Sequence, residues 1–262
     1  MPPEVSPEWV YLALCASAFL AGVMNSIAGG GTLLTFPALM AVLPPGAGAM
    51  ANATSTIALL PGSLAGAWGY RQELAHVRPF ALQLLPVSLA GGLLGSLLLY
   101  WYQNQFTRLV PWLLLTAAVL FLIQPLVSRW LKSKRGQTAA EPTARTTVGV
   151  LAFQFLVATY GGYFGAGIGI LMLSALGFMG IGDLHRMNAV KTFLASAING
   201  ISLVVFVSGG LVNWPYAGAM AVAAVAGGYA GARVARRLPA VYVRWLVVAI
   251  GFGLSVYYAF FK

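Results

Sequence analysis

The stretch AGVMNSIAGGGTLLTFPALM, residues 21–40, decides how the chain is read. An apolar run breaks on three consecutive glycines, Gly29, Gly30 and Gly31, and resumes at Thr32. The segment that follows, 31–44, falls short of the roughly 20 apolar residues a spanning helix needs, so it predicts a tilted, broken or re-entrant helix starting at a glycine cluster. The same event recurs at Gly165-Ala166-Gly167-Ile168-Gly169, which opens a second short segment, 166–181.

A single shift of 136 residues relates the two events and holds without a gap from about residue 22 to residue 122. It places Gly29 on Gly165, Gly31 on Gly167, Asn52 on Asn188, Thr56 on Thr192, Pro79 on Pro215 and Arg108 on Arg244. Chance agreement between glycine-rich apolar sequences does not account for Asn, Thr, Pro and Arg falling in register as well, so internal duplication is the better reading. Apolar segments run over 9–28, 31–44, 50–69, 79–102 and 106–128, and again over 146–164, 166–181, 187–207, 214–235 and 241–261. The fold expected is an all-α polytopic membrane protein: a first repeat over 1–128, a basic, helix-poor linker over 129–145 and a second repeat over 146–262.

Composition agrees. Apolar residues make up 60% of the chain and charged residues 8%, against roughly 25% charged in soluble domains. Five acidic and fifteen basic residues cannot clothe a soluble protein of 262 residues, so lipid must cover the rest. The net charge of +10 falls in short clusters between apolar runs, which is the positive-inside pattern and not a nucleic-acid-binding face. Cys15 is the single cysteine, which excludes an internal disulfide and a cysteine-based metal site; no cofactor is expected. The N-terminal MPPEVSPE lacks the basic residues of a cleaved signal, so 9–28 reads as a retained span.

Where one loop is charged, its equivalent in the other half is not. Loop 70–78 holds Arg71, His76 and Arg78 while its counterpart FVSGGLVNW (206–214) is uncharged. Loop YQNQF (102–106) is uncharged while its counterpart region holds Arg233, Arg236 and Arg237, and uncharged 43–49 answers to Asp183, His185 and Arg186. That alternation predicts two inverted-topology repeats of about five membrane elements each, with the N-terminus outside and the 129–145 linker in the cytoplasm.

The glycine clusters are candidate anion sites, because glycine lets backbone approach a ligand and helix N-termini carry about half a positive charge. Close helix packing is the competing reading for glycines alone. The mid-segment glycines Gly91, Gly92 and Gly95, with Gly227, Gly228 and Gly231, have helical spacing and read as packing. The substrate-binding candidates are Asn25, Gly29, Gly30, Gly31 and Thr32 at the first cluster, Asn52, Ser55 and Thr56 in the third segment, and Gly165, Gly167, Asn188, Lys191 and Thr192 in the second half. Asn52 and Asn188 could equally be helix N-caps. Lys191 lies inside the apolar run NAVKTFLASAINGISLVVF, where a cation costs several kcal/mol unless it is paired, serves a ligand or snorkels to the interface.

At these residues the chain resembles the TauE/SafE group of sulfite exporters and related anion permeases. AGVMNSIAGGGTLLTFPALM (21–40), NATSTIAL (52–59), GAGIGILML (165–173) and HRMNAVKTFLASAING (185–200) carry the resemblance. It departs where Ala166 interrupts the second glycine run and Leu173 stands opposite Pro37. The resemblance implies a secondary transporter of small anions, typically sulfur oxyanions or organosulfonates, in the cytoplasmic (inner) cell membrane. Its expected partners are a small anionic substrate and the lipid bilayer, with an oligomer left open. A non-transporting scaffold subunit is the alternative. An intramembrane enzyme is disfavoured because the apolar segments contain no Asp or Glu, which also argues against a carboxylate proton relay. Uniport, coupling through the substrate's own protonation, and a sodium site stay open.

The charge alternation predicts that cysteines placed at Gln103 and Gly210 react with an impermeant reagent from outside and one at Gln137 does not. Labelling of Gln137 but not Gly210 from outside would overturn the inverted arrangement.

Overall fold

A computed structural model describes residues 7–27, 30–134, 148–178, 184–234 and 240–260. The described residues form eleven α-helices and no strand: α1 (Pro7–Ile27), α2 (Thr32–Val42), α3 (Gly48–Gly69), α4 (Arg71–His76), α5 (Arg78–Trp101), α6 (Gln103–Lys134), α7 (Val148–Tyr163), α8 (Ile168–Phe178), α9 (Leu184–Ser208), α10 (Trp214–Val234) and α11 (Ala240–Phe260). Ten of them fall on the ten apolar segments. The eleventh, α4, lies in the charged loop 70–78, where Arg71-Gln72-Glu73-Leu74-Ala75-His76 supplies one good helical turn and a half. The helix α6 continues to Lys134, past the expected start of the linker at Arg129; residues 135–147 lie outside the description.

Within α1, α5 and α9, the segments Glu8–Asn25, Arg78–Trp101 and His185–Ser208 are long and apolar enough to cross a bilayer by length and composition alone. The chain is a multi-pass membrane protein, and the reason α3 does not join them is its interior position. Asn52, Thr54 and Ser55 lower its hydropathy, and all three are buried against other helices rather than lipid. At 1.5 Å per residue, the eleven-residue α2 and α8 rise about 16 Å, roughly half the hydrocarbon thickness.

Side-by-side contacts fix helix directions. Along α1 and α10, the Tyr11 and Tyr216 rings meet edge-on at 5.4 Å, Cys15 Sγ lies 3.7 Å from the Ala219 carbonyl, and Gly22 backs onto Ala224 and Gly228; the two helices run the same way. Helix α3 shares that direction, because its Thr54 hydroxyl accepts the Asn213 N–H at 3.0 Å while Gly62 faces Ala224. Helices α5 and α7 are likewise parallel: Gln154 Nε2 donates to Ser88 Oγ at 2.9 Å, and Gly95 further on backs onto Thr159. Helix α9 follows α5, with Gly92 against Ile198 and Tyr100 against Gly209. Between the two sets the direction reverses, since Gly66 of α3 faces Thr192 early in α9 whereas Thr54 meets Asn213 just beyond the end of α9. Thus α1, α3 and α10 point one way and α5, α7 and α9 the other. Because α1 and α3 are parallel, α2 and its flanking loops carry the chain back across the bundle.

Helix starts also fall at the sequence shift: Thr32 and Ile168, Gly48 and Leu184, Arg78 and Trp214 are each 136 residues apart. The mid-helix glycines behave as packing residues. A Cβ on Gly91 would meet the Phe155 carbonyl at 2.6 Å, one on Gly95 the Thr159 carbonyl and one on Gly227 the Phe19 carbonyl. Gly228 differs from its neighbours, because it also lines the central cavity.

Gly95→Ala must therefore push α5 from α7 at a backbone contact, a typical overpacking cost of about 1–3 kcal/mol. The expected result is a lower melting temperature and yield in detergent. Gly218→Ala, where a Cβ would meet nothing within 4 Å, is expected to leave both unchanged or raised.

Candidate functional site

A cavity of about 130 Å³ lies where the starts of α2 and α8 meet the facing sides of α3 and α9. The left-handed backbone of Gly30 (φ 90°) and Gly165 (φ 80°) turns the chain sharply before each short helix, a conformation that favours glycine. Both helix N-termini are thereby brought to the cavity wall, through Gly30 and Thr32 on one side and Gly165, Ile168 and Gly169 on the other.

Of the residues expected to bind substrate, Asn25, Gly30, Thr32, Thr56, Gly165, Asn188, Lys191 and Thr192 line this cavity. The others do not. Gly31 packs against α1, where a Cβ would sit 2.7 Å from the Ala21 carbonyl. Gly167 (φ 80°) is buried against Leu120. Asn52 is 1% exposed and Ser55 fully buried, both behind the wall, and Gly29 lies outside the described residues. Sequence reasoning missed Ser63, Gly66, Tyr70 and Asn199, which also line the cavity. A signal was present: Thr56 and Ser63, like Thr192 and Asn199, are seven residues apart on one helix face, and the two pairs match under the shift.

Hydrogen bonding gives the cavity its polarity. Asn25 Oδ1 accepts the Gly31 N–H at 2.8 Å, and Asn188 Oδ1 accepts from Lys191 Nζ at 2.9 Å. Each asparagine thus commits its carbonyl oxygen internally and keeps its NH2 to donate. Lys191 Nζ has two further protons to offer. Among the described residues no carboxylate pairs with it. Its aliphatic stem lies along α8, where a Cβ on Gly169 would be 3.3 Å from Lys191 Cδ; Gly169 leaves the room. A positive charge, amide donors and two helix N-termini converge on one space, which is the equipment for an anion.

The cavity has two unlike ends. Because α3 and α9 are antiparallel, Tyr70 lies at the same end as Asn188, beside the segments that carry Arg71 and Arg186. Toward the opposite end of α3, Phe106 packs on Gly48 and joins Phe36 and Phe164, each no more than 1% exposed. Their rings pack edge-on at 5.4 Å between Phe36 and Phe164 and 6.1 Å between Phe36 and Phe106. Among the described residues, no cluster of His, Cys, Asp and Glu could hold a metal ion.

The family model for the sulfite exporter TauE/SafE matches residues 14–258. A "Probable membrane transporter protein" of Haemophilus influenzae is 29% identical over 96% of this chain and 95% of its own. A protein of the same description from a Sinorhizobium species is 30% identical over 93% of this chain and 90% of its own, and one from Escherichia coli K12 is 29% identical over 84% and 77%. No solved structure matches. The match over nearly the whole chain, on a helical membrane bundle of this pattern, makes the protein a member of the TauE/SafE family of membrane transporters.

Proposed function

We propose that the protein is a secondary transporter of small anions, of the sulfur oxyanion or organosulfonate class, working by alternating access in the cytoplasmic membrane. The observation that carries this reading is the Lys191 ammonium held in the cavity by Asn188 Oδ1 at 2.9 Å, with the carbonyl oxygens of Asn25 and Asn188 turned to internal donors. A desolvated cation without a carboxylate partner costs several kcal/mol. A bound anion offsets that cost, and an uncharged ligand would not.

The helix directions and the matching helix starts support two inverted repeats, which is the arrangement that lets one half rock against the other around a central site. The charges near Tyr70 and Asn188 mark that end as cytoplasmic under the positive-inside rule. The conformation described is then inward-facing, with the aromatic cluster of Phe36, Phe106 and Phe164 closing the outer side. In the outward-facing state these rings part and the faces of α3 and α9 near Tyr70 and Asn188 close.

Equilibrium binding of sulfite to purified protein tests the site. Lys191→Gln keeps much of the length and polarity but removes the charge, and is expected to weaken binding about tenfold or more, roughly 1.4 kcal/mol; unchanged affinity in a folded variant would take Lys191 out of the site. Asn25→Asp retains an acceptor for the Gly31 N–H but presents a negative oxygen where the wild type presents NH2. Its sulfite affinity is expected to fall by at least about tenfold at an unchanged melting temperature, since like charges near 4 Å repel by several kcal/mol at a surface-like dielectric. Equal affinity for Asn25→Asp and wild type would place the anion elsewhere.

A further inference from the structure

Asn52 and Asn188 occupy matching positions of α3 and α9, 136 residues apart, yet their carbonyl oxygens meet different fates. Asn188 Oδ1 is capped by the ammonium of Lys191. The residue 136 before Lys191 is Ser55, and Asn52 Oδ1 is buried with no hydrogen-bond partner. Turning the amide around does not repair this, because Asn52 Nδ2 donates to the Tyr163 carbonyl at 3.1 Å and an oxygen placed there would face another oxygen. An unsatisfied buried acceptor is costly, which is why such groups are rare and call for a partner.

The surroundings are built of oxygen. Ser55, one helical turn from Asn52, and Thr35 are both fully buried, and their hydroxyls bond to each other. The Tyr163 carbonyl belongs to the C-terminal end of α7, where the helix dipole places partial negative charge. Helix ends and neutral oxygens of this kind hold a monovalent cation in membrane transporters. A divalent ion sheds its water less readily and calls for carboxylates.

We propose that Asn52, Ser55 and Thr35 form a site for a small monovalent cation, sodium being the probe, which fills in the first half the place that the Lys191 ammonium fills in the second. The inference rests on the transporter reading for its purpose, which is coupling. Thr56, next to Ser55, lines the anion cavity. Thr35 belongs to the first turns of α2, whose start is tied to cavity-lining Asn25 through Gly31. A cation joining α2 to α3 therefore orders one wall of the anion site and adds positive charge beside it, so that each ion favours the other.

The test is equilibrium binding of radioactive sodium to purified protein with no substrate anion, with sodium chloride exchanged for choline chloride at constant ionic strength. Wild type is expected to bind sodium saturably, with choline failing to compete. Asn52→Ala is expected to lose at least tenfold in sodium affinity. Ser55→Ala, a smaller change, is expected to lose severalfold while melting at the wild-type temperature in choline chloride, so it carries the test should Asn52→Ala not fold. No saturable sodium binding in wild type, as a buried water at Asn52 Oδ1 would give, or undiminished sodium affinity in Ser55→Ala overturns the proposal. Sulfite binding to the same preparation reports on the anion site separately, so either site can fail without the other.

Discussion

A helix that begins inside a bilayer has N–H groups that neither lipid nor its own turns can satisfy. Helices α2 and α8, eleven residues each, impose that problem twice, and the rest of the architecture follows from it. The left-handed turns at Gly30 and Gly165 bring both starts to one place. Asn25 takes up one of the exposed groups, the Gly31 N–H. What is left is a polar pocket enclosed by helices, and the glycine contacts of α1 with α10 and of α5 with α7 draw the bundle tightly around it. Small residues suit this role because apolar side chains gain nothing by leaving lipid for one another, whereas close backbone approach gains dispersion energy.

Matching halves need not be chemically equal, and their differences are informative. Lys191 answers to Ser55, and Phe36 answers to Met172. The first difference places a fixed charge on one wall of the cavity and an oxygen cluster behind the other. The second puts interlocked rings in the first half and, at the matching place in the second, a flexible side chain, Met172, buried in a cluster with Val77, Leu84 and Met187. Aromatic edge-to-face pairs add roughly 0.5–1.5 kcal/mol beyond their area.

Most of the helical layout was legible in the sequence because lipid demands long apolar runs, and the breaks at 29–31 and 165–169 mark helix starts as sharply as any cap. The cavity was legible in part. Asn25, Lys191 and Asn188 stood out as polar residues in apolar surroundings, and Gly30 and Gly165 as members of clusters. Ser63 shows itself only through its spacing from Thr56, because a serine whose hydroxyl bonds back to its own helix, here to the Leu59 carbonyl at 3.2 Å, is common in apolar helices. Ser55 and Asn52 were read as lining the site, yet both face the packed side of α3. A one-residue difference on a helix is a 100° rotation, so Thr56 reaches the cavity while Ser55 is turned to Thr35. Gly31 shows the same limit: a glycine in a cluster is visible in sequence, but its contact with Ala21 depends on how α1 and α2 are folded together.

The central claim, that the space between the two halves carries small anions across the membrane, is tested most directly by flux into proteoliposomes holding the wild-type protein. Sulfite, sulfate, thiosulfate, methanesulfonate and acetate are offered in turn, with and without imposed sodium and pH gradients. The account predicts saturable uptake of at least one sulfur oxyanion or sulfonate above protein-free vesicles, with sulfur anions competing against one another. Vesicles that insert the protein in folded form but pass none of these anions under any gradient would contradict it.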